Sequence, residues 1–303
     1  MNRIINFHAV QDTDWFRKML NILKNNYNLI SIQDLESYYY DENQLSNTCH
    51  ITIDDGHKSF YETMYPVLKE MEVPASLFVS PQICLEGKNF WFQEIQSYKA
   101  IEFKLVISKY LKVDFKHLSP YSINTILKIL KIEDIWKIIN LYKNQFQVGK
   151  LKAQNMNIQQ LIEVDRDKLV AIGAHTNNHP ILSNEDDETS KQEISASFVQ
   201  LEEILGHQIK YFAFPNGLPN LDFGQREIDI LKSINCKLAF TTQAKNISNN
   251  DDNAFCIPRF GISFGNVPFI KSKLLLGAYW EHLKIVIKNS ESINRNKLKS
   301  KFQ

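Results

Sequence analysis

Two hydrophobic periods alternate along the chain. Short apolar or β-branched runs at residues 4–7, 50–53, 75–79, 170–173, 211–214 and 238–241 predict strands. Between them lie segments of helical period. Residues 15–23 follow Asp12 or Thr13 as cap, residues 61–71 form a second segment, and Ile194, Phe198, Leu201 and Leu205 make one stripe that stops at Gly206. Strand–helix alternation at this spacing predicts an α/β fold around a largely parallel sheet or barrel.

The rhythm breaks at about residues 93–161, where strand signal is sparse. Ser119-Pro120 predicts a helix start, followed by Ile123, Ile126, Leu127 and Leu130 at i, i+3, i+4 and i+7; Trp136, Ile139 and Tyr142 extend the helical pattern. This stretch reads as a helical insertion or lid on one main domain spanning 1–288. Residues 289–303 are polar and Lys-rich and are expected to form a frayed or solvated tail.

Composition changes this picture little. The 303 residues are 44% hydrophobic and 23% charged, ordinary for a globular chain, and the formal net charge of +1 gives no sign of a nucleic-acid partner. Cys49, Cys84, Cys236 and Cys256 are widely spaced without a C-x-x-C pair, so reduced thiols are expected. No run approaches the roughly 20 apolar residues of a membrane span, and the N-terminus lacks the apolar stretch of a signal peptide. A cytoplasmic protein is expected, with at most peripheral contact at the inner membrane face.

Chemistry concentrates after two predicted strands. Ile51-Thr52-Ile53 delivers Asp54-Asp55-Gly56 to a strand's C-terminal edge, where sheets and barrels build active sites; the same tripeptide also serves as an ordinary turn. Gly173-Ala174-His175-Thr176-Asn177-Asn178-His179-Pro180 follows another strand. Two histidines four apart can aim at one centre. With a carboxylate they would make a three-ligand metal site with an open position, whereas the alternative is a pair of structural histidines.

Together these motifs resemble those of the polysaccharide deacetylases, the NodB-like carbohydrate esterase family 4. Thr52-Ile53-Asp54-Asp55-Gly56 is similar to its T-F-D-D-G motif, and His175 to Pro180 matches H-[ST]-x-x-H-P. Phe7-His8-Ala9-Val10, Tyr65-Pro66-Val67-Leu68 and Val73-Pro74-Ala75-Ser76-Leu77-Phe78-Val79 resemble flanking segments of the family. The likeness covers most of the chain outside the insertion. It implies a distorted, seven-stranded (β/α) barrel in which Asp55, His175 and His179 bind a divalent metal and Asp54 is the general base. Imidazole plus carboxylate favours zinc, and cobalt, nickel or iron fit the same set.

The chain also departs from the family pattern. Its third motif, about R-P-P-Y-G, corresponds to Phe212-Ala213-Phe214-Pro215-Asn216-Gly217. There the backbone N–H of Asn216 is the oxyanion candidate, and Ala213 replaces the base-orienting arginine. Arg259, in Ile257-Pro258-Arg259-Phe260-Gly261, is the expected substitute. The late L-x-x-H motif has no clear match. His282 falls beyond its place, and His8, at the end of the first predicted strand, is the better candidate to reach the site. His57, His117 and His207 are read as surface residues. The aromatic run Phe90-Trp91-Phe92 has two readings, a platform for a sugar ring or an anchor for the insertion.

These features imply deacetylation of an amino sugar in a surface polysaccharide or its lipid- or nucleotide-linked precursor. A sugar deformylase or O-deacetylase keeps the chemistry and changes the group. A non-catalytic carbohydrate-binding protein on the same fold is the alternative of another class.

Overall fold

A computed structural model describes residues 1–41, 43–248, 253–276 and 291–302. Its centre is an all-parallel sheet of β1 (Arg3–Phe7), β2 (Asn28–Leu29), β3 (Thr48–Ile53), β4 (Ala75–Val79), β5 (Val170–Ala174), β6 (Tyr211–Ala213), β7 (Leu238–Phe240) and β8 (Phe260–Gly261). The order is β7-β6-β5-β4-β3-β1-β8, with β2 pairing β3 off this path. Strands β1, β3 and β4 are buried along their whole length. A parallel sheet covered on both faces requires this, and it is why these strands read as near-continuous apolar runs.

The two edges of the curled sheet are laced together by the chain approaching β8. Ala239 of β7 accepts from Ile257 N at 2.9 Å and donates to Ala254 O at 2.8 Å, and Ile257 O accepts from Thr241 N at 2.8 Å. A few residues on, Phe260 pairs with Ile5 of β1, and Ile262 N donates to Asn6 O at 2.8 Å. The result is a distorted (β/α) barrel wrapped in helices.

The helices follow local chemistry. Asp12 caps Thr13–Asn26 by accepting from Trp15 N at 2.8 Å, and the helix buries Trp15, Phe16, Met19, Leu20 and Leu23. Asp186 caps Asp187–Leu205, which ends at Gly206 with φ 74°. The expected helix at 61–71 is instead a π turn, Phe60–Met64, leading into Tyr65–Glu70. Pro66 has no N–H to return to residue 62, and Tyr65 N–H reaches back five residues to Phe60 O.

The helical insertion lies between β4 and β5 and runs from Pro81–Glu86 to Ile132–Phe146. It starts and ends earlier than expected, because Ile158–Arg166 packs against β5 as an ordinary crossover helix. Ser119-Pro120 does not open a helix: Ser119 caps the C-terminal end of Phe115–Leu118, and Ser122 caps Ile123–Leu127. The insertion has its own apolar cluster, with Phe103, Ile107, Leu118, Ile126, Ile135 and Ile139 fully buried.

The polar C-terminal segment also differs from expectation. Glu291–Phe302 is a helix. Leu298 enters the insertion's cluster, and Arg295, buried, donates to Asp222 Oδ1 at 2.6 Å. Leu298 and the buried Arg295–Asp222 pair help to hold it down, which composition alone does not reveal. His282 lies outside the described residues. Cys49, Cys84 and Cys236 are buried free thiols, and no helix among the described residues is long and apolar enough to cross a membrane.

Candidate metal centre and its pocket

Three loops at the C-terminal edge of the sheet build the site, and each turns through left-handed residues: Asp55 (φ 71°) with Gly56 (φ 65°) after β3, Thr176 (φ 58°) and His179 (φ 60°) after β5, and Asn216 (φ 54°) with Gly217 (φ 68°) after β6. Non-glycine residues rarely adopt this conformation, and its clustering here marks loops whose shape is set by what they present. Gly56 is also sterically required, since a Cβ there would lie 2.8 Å from Val79 Cγ1. Residues 154–156, leaving the insertion, brace the first loop: Gln154 O accepts from Lys58 N at 2.8 Å and Met156 N donates to Gly56 O at 2.9 Å.

Asp55, His175 and His179 converge, with one ligand atom from each lying within 4.8 Å of the others. Asp55 Oδ1 is 3.5 Å from His175 Nε2 and 3.6 Å from His179 Nε2. It is buried and has no hydrogen-bond partner. Metal–ligand bonds of about 2.1 Å place neighbouring ligands of a tetrahedron about 3.4 Å apart, so the spacing and the orphaned oxygen both suit a cation. His175 Nδ1 lies 2.7 Å from Ala213 O, which fixes that nitrogen as a donor and leaves Nε2 turned toward Asp55. Burial, and then His175 beside it, push the His179 pKa down to about 3, so this imidazole is neutral, as a ligand must be. Burial works against ionisation of Asp55, but contact with His175, then His8 and His179, holds its pKa well below the carboxylate range.

Glu193 holds the histidine loop from behind. Its carboxylate accepts from Asn177 N at 3.0 Å, Asn178 N at 2.8 Å and Asn178 Nδ2 at 2.8 Å. Thr176 Oγ1 accepts from His179 N at 3.0 Å and donates to His175 O at 2.6 Å.

Asp54 is the other pole of the site. Arg259, fully buried, grips it in a fork: Nη1 to Oδ1 at 2.7 Å and Nη2 to Oδ2 at 2.9 Å. Arg259 Nε donates to Thr241 O at 2.9 Å, and Asn6 Nδ2 donates to Asp54 Oδ2 at 2.9 Å. Burial alone would raise the Asp54 pKa; Arg259, helped by His175 and His8, more than reverses it and keeps the group below its ordinary value. His8 Nε2 stands 3.9 Å from Asp54 Oδ2 on a half-exposed side chain.

These groups open into a cavity of about 370 Å³ lined by His8, Asp54, Asp55, His175, His179, Asn216 and Thr242 from the barrel and by Trp91, Phe92, Asn124 and Lys128 from the insertion. Asn216 Nδ2 is buried without an acceptor. The aromatic run anchors the insertion and also reaches the cavity. Phe90 and Trp91 are buried anchors, Trp91 Nε1 donating to His179 O at 3.2 Å, while Phe92 packs on the His179 ring and faces the cavity.

The structure thus brings Asp54, Asp55, His175, His179, Arg259, Asn216 and His8 into one place. His57 is not a surface residue: it is buried, with Nδ1 2.8 Å from Ser59 Oγ and accepting from Ser59 N at 3.1 Å, an arrangement that tightens the turn after Gly56. His207 is exposed and pairs with Asp165 at 2.9 Å. Sequence reasoning passed over Asn6, Glu193, Asn124 and Lys128. Asn6 alone carried a signal, a polar side chain inside an apolar strand two residues before His8 and so on the same face.

The polysaccharide deacetylase family model matches residues 125–228, a segment that holds His175, His179 and Asn216 but not Asp54, Asp55 or Arg259. No curated protein matches the chain. Among solved structures it is similar to IcaB from Ammonifex degensii, at 18% identity and TM-score 0.59, covering 90% of this chain and 97% of that one. It is similar to the Streptococcus pyogenes deacetylase PplD in complex with acetate, at 18% and 0.59, covering 91% and 97%. A de-N-acetylase from Aggregatibacter actinomycetemcomitans matches at 17% and 0.58, covering 89% and 98%. Identities this low speak to the fold, and the fold is that of the polysaccharide deacetylases.

Proposed function

We propose that this chain, built on the polysaccharide deacetylase fold, is a metal-dependent hydrolase that removes the N-acetyl group of an amino sugar in a surface glycan or its lipid- or nucleotide-linked precursor. The observation that carries this reading is the pairing of a three-ligand cluster with a separately gripped carboxylate in one cavity. Asp55, His175 and His179 surround a point suited to a divalent cation, and Asp54, next in sequence to Asp55, is held by different partners altogether.

A cation held by Asp55, His175 and His179, zinc by the donor set, supplies a Lewis acid that polarises the acyl carbonyl and acidifies water. The chain's own residues do the rest. Asp54, anionic because Arg259 favours its charge, accepts a proton from water as the hydroxide adds to the acyl carbon. Arg259 does not meet the substrate; it positions Asp54 and keeps it ionised. The backbone N–H of Asn216 donates to the oxyanion of the tetrahedral intermediate, a type of contact whose loss costs about 10²–10³ in turnover. His8, at the rim, delivers a proton to the departing nitrogen as the C–N bond breaks, giving acetate and the free amine.

The test is release of acetate or formate from a panel of acylated amino sugars, free, nucleotide-linked and lipid-linked, by metal-loaded protein and by Asp54→Ala. Acetate released by the wild type and lost in the variant is the expected result. Formate in its place would correct the acyl group. Turnover of no panel member, or full activity in Asp54→Ala, would overturn the reading.

A further inference from the structure

We infer that Lys128, together with Asn124, is a specificity-determining subsite for an anionic group carried by the substrate beside its acylated amine. The inference rests on the hydrolase reading for the identity of the sugar but not for the recognition of charge.

Asn124 and Lys128 are four residues apart at the helix Ile123–Leu127 and its C-terminal cap, so they share a face, and both line the cavity that holds Asp54 and the metal cluster. The position of Lys128 is fixed from two sides. Its carbonyl accepts from Asn184 Nδ2 at 3.0 Å, on the barrel, and from Arg295 Nη2 at 3.1 Å, on the C-terminal helix. Arg295 is locked in turn by Asp222. The backbone is therefore clamped while the side chain projects along the cavity wall.

The ammonium is held differently from the backbone. Lys128 Nζ meets Glu291 Oε1 at 2.7 Å, and that carboxylate is 44% exposed. A pair reaching into solvent in this way is worth about 0–1 kcal/mol, so an arriving anion can displace Glu291 at little cost. The other cation near the cavity, Arg259, is committed to Asp54 and Thr241. Among the described residues that line the cavity, Lys128 is the one lysine or arginine, its charge held by an exposed partner, and the same cavity carries Asp54 and Asp55. A neutral acetamido sugar has no group that calls for such a cation. A phosphate or carboxylate substituent does, and Asn124 offers its amide beside it.

Binding to metal-loaded protein tests this by calorimetry with three probes: N-acetylglucosamine 1-phosphate, the corresponding 2-acetamido uronic acid, and the neutral methyl glycoside. Wild type is expected to prefer at least one anionic probe over the neutral one, and which one tells phosphate from carboxylate. In Lys128→Met the preference should collapse by about 10–100-fold, the worth of a charge-assisted hydrogen bond. Lys128→Arg should retain it. Glu291→Gln should widen it by up to about 5-fold by removing the internal competitor. Absence of a preference in wild type, or its survival in Lys128→Met, overturns the inference. So does an equal shift for all three probes in Lys128→Met, which is what a residue that only staples the C-terminal helix would give. If no member of the wider acyl-sugar panel is turned over while a Lys128-dependent preference is present, the hydrolase reading fails and this one stands.

Discussion

Replacing Arg259 by methionine removes the guanidinium and keeps the length of the side chain. Arg259 and Asp54 are both buried, and their fork has contacts of 2.7 and 2.9 Å. Breaking such a pair from one side strands the other charge, at a cost of about 3–5 kcal/mol. The sign with pH is specific. In the wild type the folded-state pKa of Asp54 is depressed, so its contribution is fully present above the unfolded carboxylate value of about 3.9 and is lost as pH falls through the folded value. In Arg259→Met, burial, the largest influence on this group, dominates and the folded pKa rises above the unfolded one. The variant's relative stability is then fully present below the unfolded value and is lost as pH rises through the folded value. Between the two folded pKa values the proteins differ by one proton, and the deficit grows by about 1.4 kcal/mol per pH unit. Urea unfolding at pH 5 and pH 8, with chelator present so that only the chain's groups titrate, should show a smaller deficit at the lower pH than at the higher. Asp54→Asn added to Arg259→Met should restore most of the stability at pH 8, because neither charge of the pair remains. Equal deficits at the two pH values, or a double variant no better than the single, would refute the reasoning.

Glu193→Ala leaves three donors of the histidine loop without their acceptor. Metal affinity, measured by competition with a chromogenic chelator, should fall about 10–100-fold with helix content retained; unchanged affinity would show that the loop holds itself. Gly173→Ala places a Cβ 2.5 Å from Phe78 Cε1 and 2.8 Å from Tyr211 O. Thermal unfolding should report a loss of about 1–3 kcal/mol. Phe78→Leu should recover only part of it, since the carbonyl is backbone and cannot move aside.

The strands that build the barrel were legible because burial on both faces makes each a short apolar run, as at Ile51 and Ile53 or Leu77 and Val79. β2 and β8 have two residues each, too few to carry a period. Asp54, Asp55, His175 and His179 were legible because each pair sits just past a strand, where a polar cluster stands out against the apolar run before it. The supporting residues were not, for a common reason. Asn6 meets Asp54 across 48 positions and Lys128 meets Glu291 across 163, and no local pattern encodes such pairings. Arg259 was visible only through family resemblance, since an arginine after a short apolar stretch is otherwise unremarked. The C-terminal helix is not legible, because its hold on the insertion depends on residues such as Leu298 and Arg295, which a polar average conceals.

The segment that laces the sheet edges also carries Arg259, so architecture and chemistry share one closure. Were residues 254–262 detached from β7 and β1, Asp54 would face an open seam without the partner that favours its charge. On the proposed mechanism, the base is ready only where this seam is closed. A chain opened at this seam would keep Asp55, His175 and His179 in the loops after β3 and β5, yet lose the grip on Asp54.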